Sequence, residues 1–227
     1  MPRSFKALLL FLLLTFQAAE AEHVIVCGGP ALRAWEDYRT EEDRHDRWWA
    51  NFVRASTIRM DNIRKEQGKA ASLVWLVYKP GYVARGREDG KPYTQWIAMQ
   101  AAKRNATLIW FNSTEDYIRK INARPKRSVE TYDFFGHSNK YAFMFDYGSE
   151  IMAASTAWLH ERDISRLDRA IFTKDAYCKS WGCHTGASMS DVWERHLKTP
   201  LIGAKGKTLY TMVGRGELPV GYGGWTR

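Results

Sequence analysis

Apolar, β-branched runs alternate along this chain with stretches in which apolar positions recur every three or four residues. That alternation predicts an α/β fold, a three-layer sandwich with a mainly parallel central sheet. The first run, His23 to Cys27, stops at Gly28-Gly29-Pro30 and reads as a buried strand entering a loop. From about 31 to 67 the pattern is helical, clearest where Trp49, Phe52, Val53, Ser56, Met60 and Ile63 recur, and Gly68 ends it. Ser72 to Tyr78 is a second strand, broken by Lys79-Pro80-Gly81, and the polar stretch Val83 to Pro92 reads as an exposed loop. A helix over Thr94 to Arg104 then leads to a third strand at Thr107 to Phe111.

Ser113-Thr114-Glu115-Asp116 has the composition of a helix start, with acidic groups where they complement the dipole. Tyr117, Ile118 and Ile121 give this helix its core face, and Pro125-Lys126-Arg127 closes it. Thr131 to Phe135 predicts a fourth strand running into Gly136-His137-Ser138-Asn139, and Tyr141 to Tyr147 a short hairpin arm. After a helix near 164 to 171, Ala176 to Trp181 is a strand that ends at Gly182-Cys183-His184-Thr185-Gly186. Ser188 to Asp191 fits a capping box, and Val192, Trp193, His196 and Leu197 supply the next apolar face. A last strand falls at Pro200 to Ala204 or Leu209 to Val213.

The extreme N-terminus breaks this rhythm. Arg3 and Lys6 precede an apolar run from Ala7 to Phe16, and Ala19-Glu20-Ala21 supplies small residues around a cleavage point. Residues 1 to 21 therefore read as a signal peptide, with a mature single domain of 22 to 227 beginning at about Glu22, secreted or periplasmic. The run is too short for a membrane span, which needs roughly 20 apolar residues, and no later segment qualifies. Without those residues the chain carries 32 Lys and Arg against 24 Asp and Glu. That excess favours anionic surroundings, while the scattered placement of the cations and the lack of a zinc-finger or RNA-binding signature argue against nucleic acid. Cys27, Cys178 and Cys183 are the only cysteines, so packing rather than a disulfide framework holds the core and at least one thiol has no partner in the chain.

Reactive groups in open α/β sheets gather beyond the carboxyl ends of strands. His137 and Cys183 each follow an apolar strand and a glycine, which would set an imidazole beside a thiol. His137 could then act as base for Cys183 as nucleophile, with the backbone N–H groups of Ser138 and Cys183 receiving the oxyanion. The plainer alternative is a satisfied strand-end histidine and a buried thiol.

The segments YDFFGHS at Tyr132 to Ser138 and CKSWGCHTG at Cys178 to Gly186 resemble the motifs of the caspase-like superfamily of cysteine peptidases, which includes caspases, legumains, gingipains and separases. The resemblance implies a caspase-like fold, His137 as catalytic histidine, Cys183 as nucleophile, a peptide or protein substrate and no cofactor. Ser138 replaces the glycine that follows the histidine in that family, which admits a second expectation, a catalytically degenerate binding module presenting aromatics such as Trp35, Trp48 and Trp225. A third is a serine esterase using Ser138, with His160, His184 or His196 as partner, because Gly136 to Lys140 partly matches a nucleophile elbow. A metal site of His137, Cys183 and His184 has no established zinc spacing behind it, and no metal is expected.

Overall fold

A computed structural model describes residues 20–32, 48–146 and 156–226. The signal-peptide reading, the first part of the helix expected from 31 and Trp35 lie essentially outside the described residues, which include only 20 and 21 of the leader.

Six strands form the central sheet, in the order β3-β2-β1-β4-β8-β9, and every pairing is parallel. They are β1 (Glu22–Cys27), β2 (Ser72–Tyr78), β3 (Thr107–Phe111), β4 (Val129–Phe135), β8 (Phe172–Ser180) and β9 (Leu201–Ile202). Parallel strands covered on both faces read as continuous apolar runs rather than alternating ones, and β1 shows why. Val24 and Val26 enter one hydrophobic layer, while Ile25 and Cys27 enter the other.

Among the described residues, three helices cover the Ile25 face: α1 (Asn51–Gln67), α2 (Lys79–Asp89) and α3 (Tyr93–Lys103). Phe52, Val53, Met60 and Ile63 of α1 are buried there, and Gly68 caps the helix at φ 90°. The Val24 face is covered by α4 (Thr114–Asn122), α5 (Ser188–Leu197) and the 3-10 turns at Glu161–Arg166 and Arg169–Ile171. The molecule is thus a three-layer α/β sandwich. A small antiparallel sheet of β5 (His137–Ser138), β6 (Ala142–Met144) and β7 (Trp158–His160) leaves the end of β4, and β10 (Thr208–Leu209) pairs with β11 (Val220–Gly221).

Several local expectations are corrected. Val83 to Pro92 is mostly helix: α2 starts directly after β2, with Pro80 in the first turn, where the missing N–H costs nothing. Burial of Tyr82 and Arg85 holds it, the latter donating to the Ala31 carbonyl at 2.6 Å and to Asp89 at 2.9 Å. Residues 164 to 171 form two 3-10 turns instead of one helix, interrupted at Leu167-Asp168. At α5 the N-cap is Ala187 and no side chain caps it; Ser188 is helical and its hydroxyl donates to Glu161. His196 faces solvent, and Met189 takes the inward position beside Trp193 and Leu197. Leu201–Ile202 completes the sheet, whereas Leu209 to Val213 does not join it.

Candidate active site

The chain winds outward from β1 to β3, then returns across the sheet to lay β4 against the other side of β1. This reversal opens a switch point at the carboxyl ends of β1 and β4, the customary place for a ligand in such sheets. His137 lies there, two residues beyond β4. Cys183 lies three residues beyond β8, the next strand.

The two strand ends are locked in register. Phe134 pairs with Ser180, the Trp181 N–H donates to the Phe134 carbonyl at 2.8 Å, and the Trp181 and Phe135 rings stack with centroids 5.5 Å apart. Beyond them the two loops touch through Ser138, whose hydroxyl donates to the Cys183 carbonyl at 2.8 Å. A Cβ at Gly182 would fall 2.8 Å from Ser138 Cβ and closer still to its Oγ, so only glycine permits this approach.

His137 is 9% exposed and meets the Phe52 ring edge-on, with centroids 4.9 Å apart at 88°. Phe52 also packs edge-on against Tyr210 at 5.0 Å, and the Tyr210 hydroxyl donates to the Trp181 carbonyl at 3.0 Å. The imidazole and the thiol-bearing loop therefore share one aromatic wall. His137, Phe52, Pro30, Ala31, Trp48 and Trp49 close around a crevice beside it that is too tight for a water molecule.

The three thiols are all free and differ in access. Cys27 and Cys178 are buried, and desolvation pushes each up to about 12, so both stay protonated at neutral pH. Cys183 alone is partly exposed. Its Sγ accepts the Thr208 N–H at 3.3 Å and lies 3.4 Å from Thr208 Oγ1. His184 holds φ 59°, a left-handed conformation that non-glycine residues adopt at a cost and that recurs at functional sites.

Oxyanion donors can be traced through the backbone. Asn139 N–H donates to the Ala142 carbonyl at 3.1 Å, so the Ser138 and Phe143 pair falls at a non-hydrogen-bonded position and the Ser138 N–H points away from β6. Gly182 donates its N–H to Ser180 Oγ at 3.3 Å and His184 to the Gly206 carbonyl at 2.8 Å; the N–H between them is that of Cys183.

Ser138 lies in a two-residue strand followed by a hairpin, whereas a nucleophile elbow passes straight into a helix. No group of three metal-ligating side chains occurs among the described residues. Thr208, Tyr210 and Phe52 were not legible as site residues: they reach the site from distant segments, and only the strand expected at Leu209 to Val213 hinted at an extended piece nearby. Compared with protein-family models, curated proteins and solved structures, the chain matches none of them.

Proposed function

We propose that the protein is an exported cysteine-dependent hydrolase, a caspase-like endopeptidase with His137 as base and Cys183 as nucleophile. The observation that carries this reading is the position of both residues just past the carboxyl ends of neighbouring parallel strands, His137 at the sheet's switch point and Cys183 beside it past β8, with their loops joined by the Ser138 hydrogen bond. In the first step the imidazole accepts the thiol proton and sulfur attacks the substrate carbonyl. The oxyanion is met by the Ser138 and Cys183 N–H groups. Collapse breaks the C–N bond, the imidazolium returns its proton to the leaving amine, and water then hydrolyses the thioester.

A caspase-like binding module without catalysis is the second reading. It rests on Ser138, whose side chain occupies the junction of the two loops where the family carries glycine, and on the deep placement of His137. A serine esterase is disfavoured by the hairpin that follows Ser138.

Treatment with iodoacetamide near neutral pH, followed by peptide mapping, separates the two surviving readings. A peptidase is expected to label fastest at Cys183, with labelling slowed at least tenfold in a His137→Ala variant and hydrolysis of a peptide library lost in Cys183→Ala. Labelling at the rate of an ordinary thiol, indifferent to His137, would overturn the peptidase and leave the binding module.

A further inference from the structure

At the opposite end of the sheet, where β4 and β8 begin, the surface holds a second concavity unrelated to the cysteine. Its volume is about 750 Å³. Three walls enclose it: the turn before β4 with Lys126 and Arg127, the 3-10 turn and start of β8 with Arg169 and Lys174, and the end of α5 with Lys198. Phe172 and Leu197 form an apolar floor, and among the described residues no acidic side chain lines the basin. Lys126 pairs with Asp168, whereas Arg127, Arg169, Lys174 and Lys198 enter no ion pair among the described residues. The carbonyl end of α5 accounts for one nearby cation, not for four.

The backbone adds an independent observation. Of the four non-glycine residues at positive φ among the described residues, two are in this basin: Arg127 at 56° and Lys198 at 58°. Lys198 sits in left-handed geometry at the end of α5, where glycine is the cheap choice. A long cation kept at each strained position points to a demand for the side chain rather than for the fold. The walls are also fixed in advance, because the Arg127 N–H donates to the Ala170 carbonyl at 2.8 Å and Asn122 accepts the Asp168 N–H at 2.8 Å.

We infer that this basin binds a ligand bearing clustered phosphate groups, with Arg127, Arg169, Lys174 and Lys198 converging on the oxygens. Guanidinium and ammonium groups around one concavity suit a multiply charged anion better than a single carboxylate. A soluble oligophosphate and a phosphorylated lipid headgroup share this chemistry, and the test distinguishes them.

Purified protein is titrated calorimetrically with tripolyphosphate at low and at moderate salt, and sedimented with phosphatidylcholine vesicles containing phosphatidic acid. The proteins compared are wild type, Arg127→Gly/Lys198→Gly, Lys174→Gln, and a control, Lys65→Ala, on the exposed face of α1. One-to-one tripolyphosphate binding is expected, weakened at least tenfold in the double glycine variant and severalfold in Lys174→Gln, unchanged in the control, and weaker with added salt. The double glycine variant should not melt earlier than wild type, since the substitutions relieve left-handed strain. Vesicle binding alone, with the same dependence on variants, would support the site and identify a lipid headgroup. Binding to neither probe, or binding that Lys65→Ala weakens as much as the basin variants, would overturn the proposal.

Discussion

Lys179 places its ammonium in the corner formed by two indole rings, 3.8 Å from the ring centre of Trp181 and 4.0 Å from that of Trp225. The rings attract the cation, yet they also strip water from it, and desolvation lowers the lysine pKa to about 8 against the opposing pull of Asp133. Between about 8 and its ordinary value near 10.5, the folded chain therefore binds fewer protons at this site than the unfolded chain. Stability from this group must rise with pH across that window. Buried Cys27 and Cys178, raised to about 12, act in the opposite sense: their contribution is whole below an unfolded pKa near 9 and is lost as pH climbs toward 12. The thiols are common to wild type and a Lys179→Met variant, so comparing the two isolates the lysine. From pH 8 to pH 9, urea denaturation should show wild type gaining stability relative to the variant, by at most about 1 kcal/mol because solvent screens a partly exposed ammonium. Parallel curves would mean that the lysine sits in water and that the two indoles do not enclose it.

Among the elements, β2 and β3 have the bounds read from sequence because a parallel strand covered on both faces is an unbroken apolar run with turn residues behind it. Helix α2 escaped for the opposite reason. Its stretch KPGYVARGRED carries little apolar periodicity, and what holds it is tertiary: a buried arginine, and a tyrosine hydroxyl donating to the Gly28 carbonyl at 2.9 Å. The two serine starts divide along the same line. Ser113 is extended and accepts the Asp116 N–H at 3.2 Å, as its local sequence predicts, while Ser188 is drawn into the helix by Glu161, a partner 27 residues away. Ser113→Ala should accordingly cost about 1 kcal/mol in chemical denaturation, the usual worth of a cap. At the candidate site the strand ends bearing His137 and Cys183 were visible in sequence. The Phe52 and Tyr210 wall and the Thr208 contact were not, because long-range packing leaves no local periodicity to read.

For the whole molecule, one buried carboxylate joins the layers that set the site. Asp133 is fully buried in β4; it accepts Arg59 Nε from α1 at 2.9 Å and Trp181 Nε1 from beyond β8 at 2.8 Å. Helix α1 carries Phe52 against His137, β4 leads to His137, and Trp181 leads to Cys183, so this carboxylate ties together all three supports. A buried ion pair adds little net stability over an apolar pair of similar volume, but removing one partner strands the other charge at a cost of about 3–5 kcal/mol. Arg59→Met should approach that cost, since Asp133 would keep only the indole as a hydrogen-bond donor. Asp133→Leu should cost somewhat less, because Arg59 retains Glu66 at 3.7 Å, on a carboxylate open to solvent. Combining both substitutions removes both charges, so the double variant should be more stable than the sum of the singles predicts by about 2 kcal/mol. Some loss must remain, since the Trp181 N–H still lacks its acceptor. Denaturation of the four proteins reads this coupling directly. Strictly additive losses would mean that the helix and the strand are joined by apolar packing alone, and that the carboxylate is held for Trp181 and the cysteine loop.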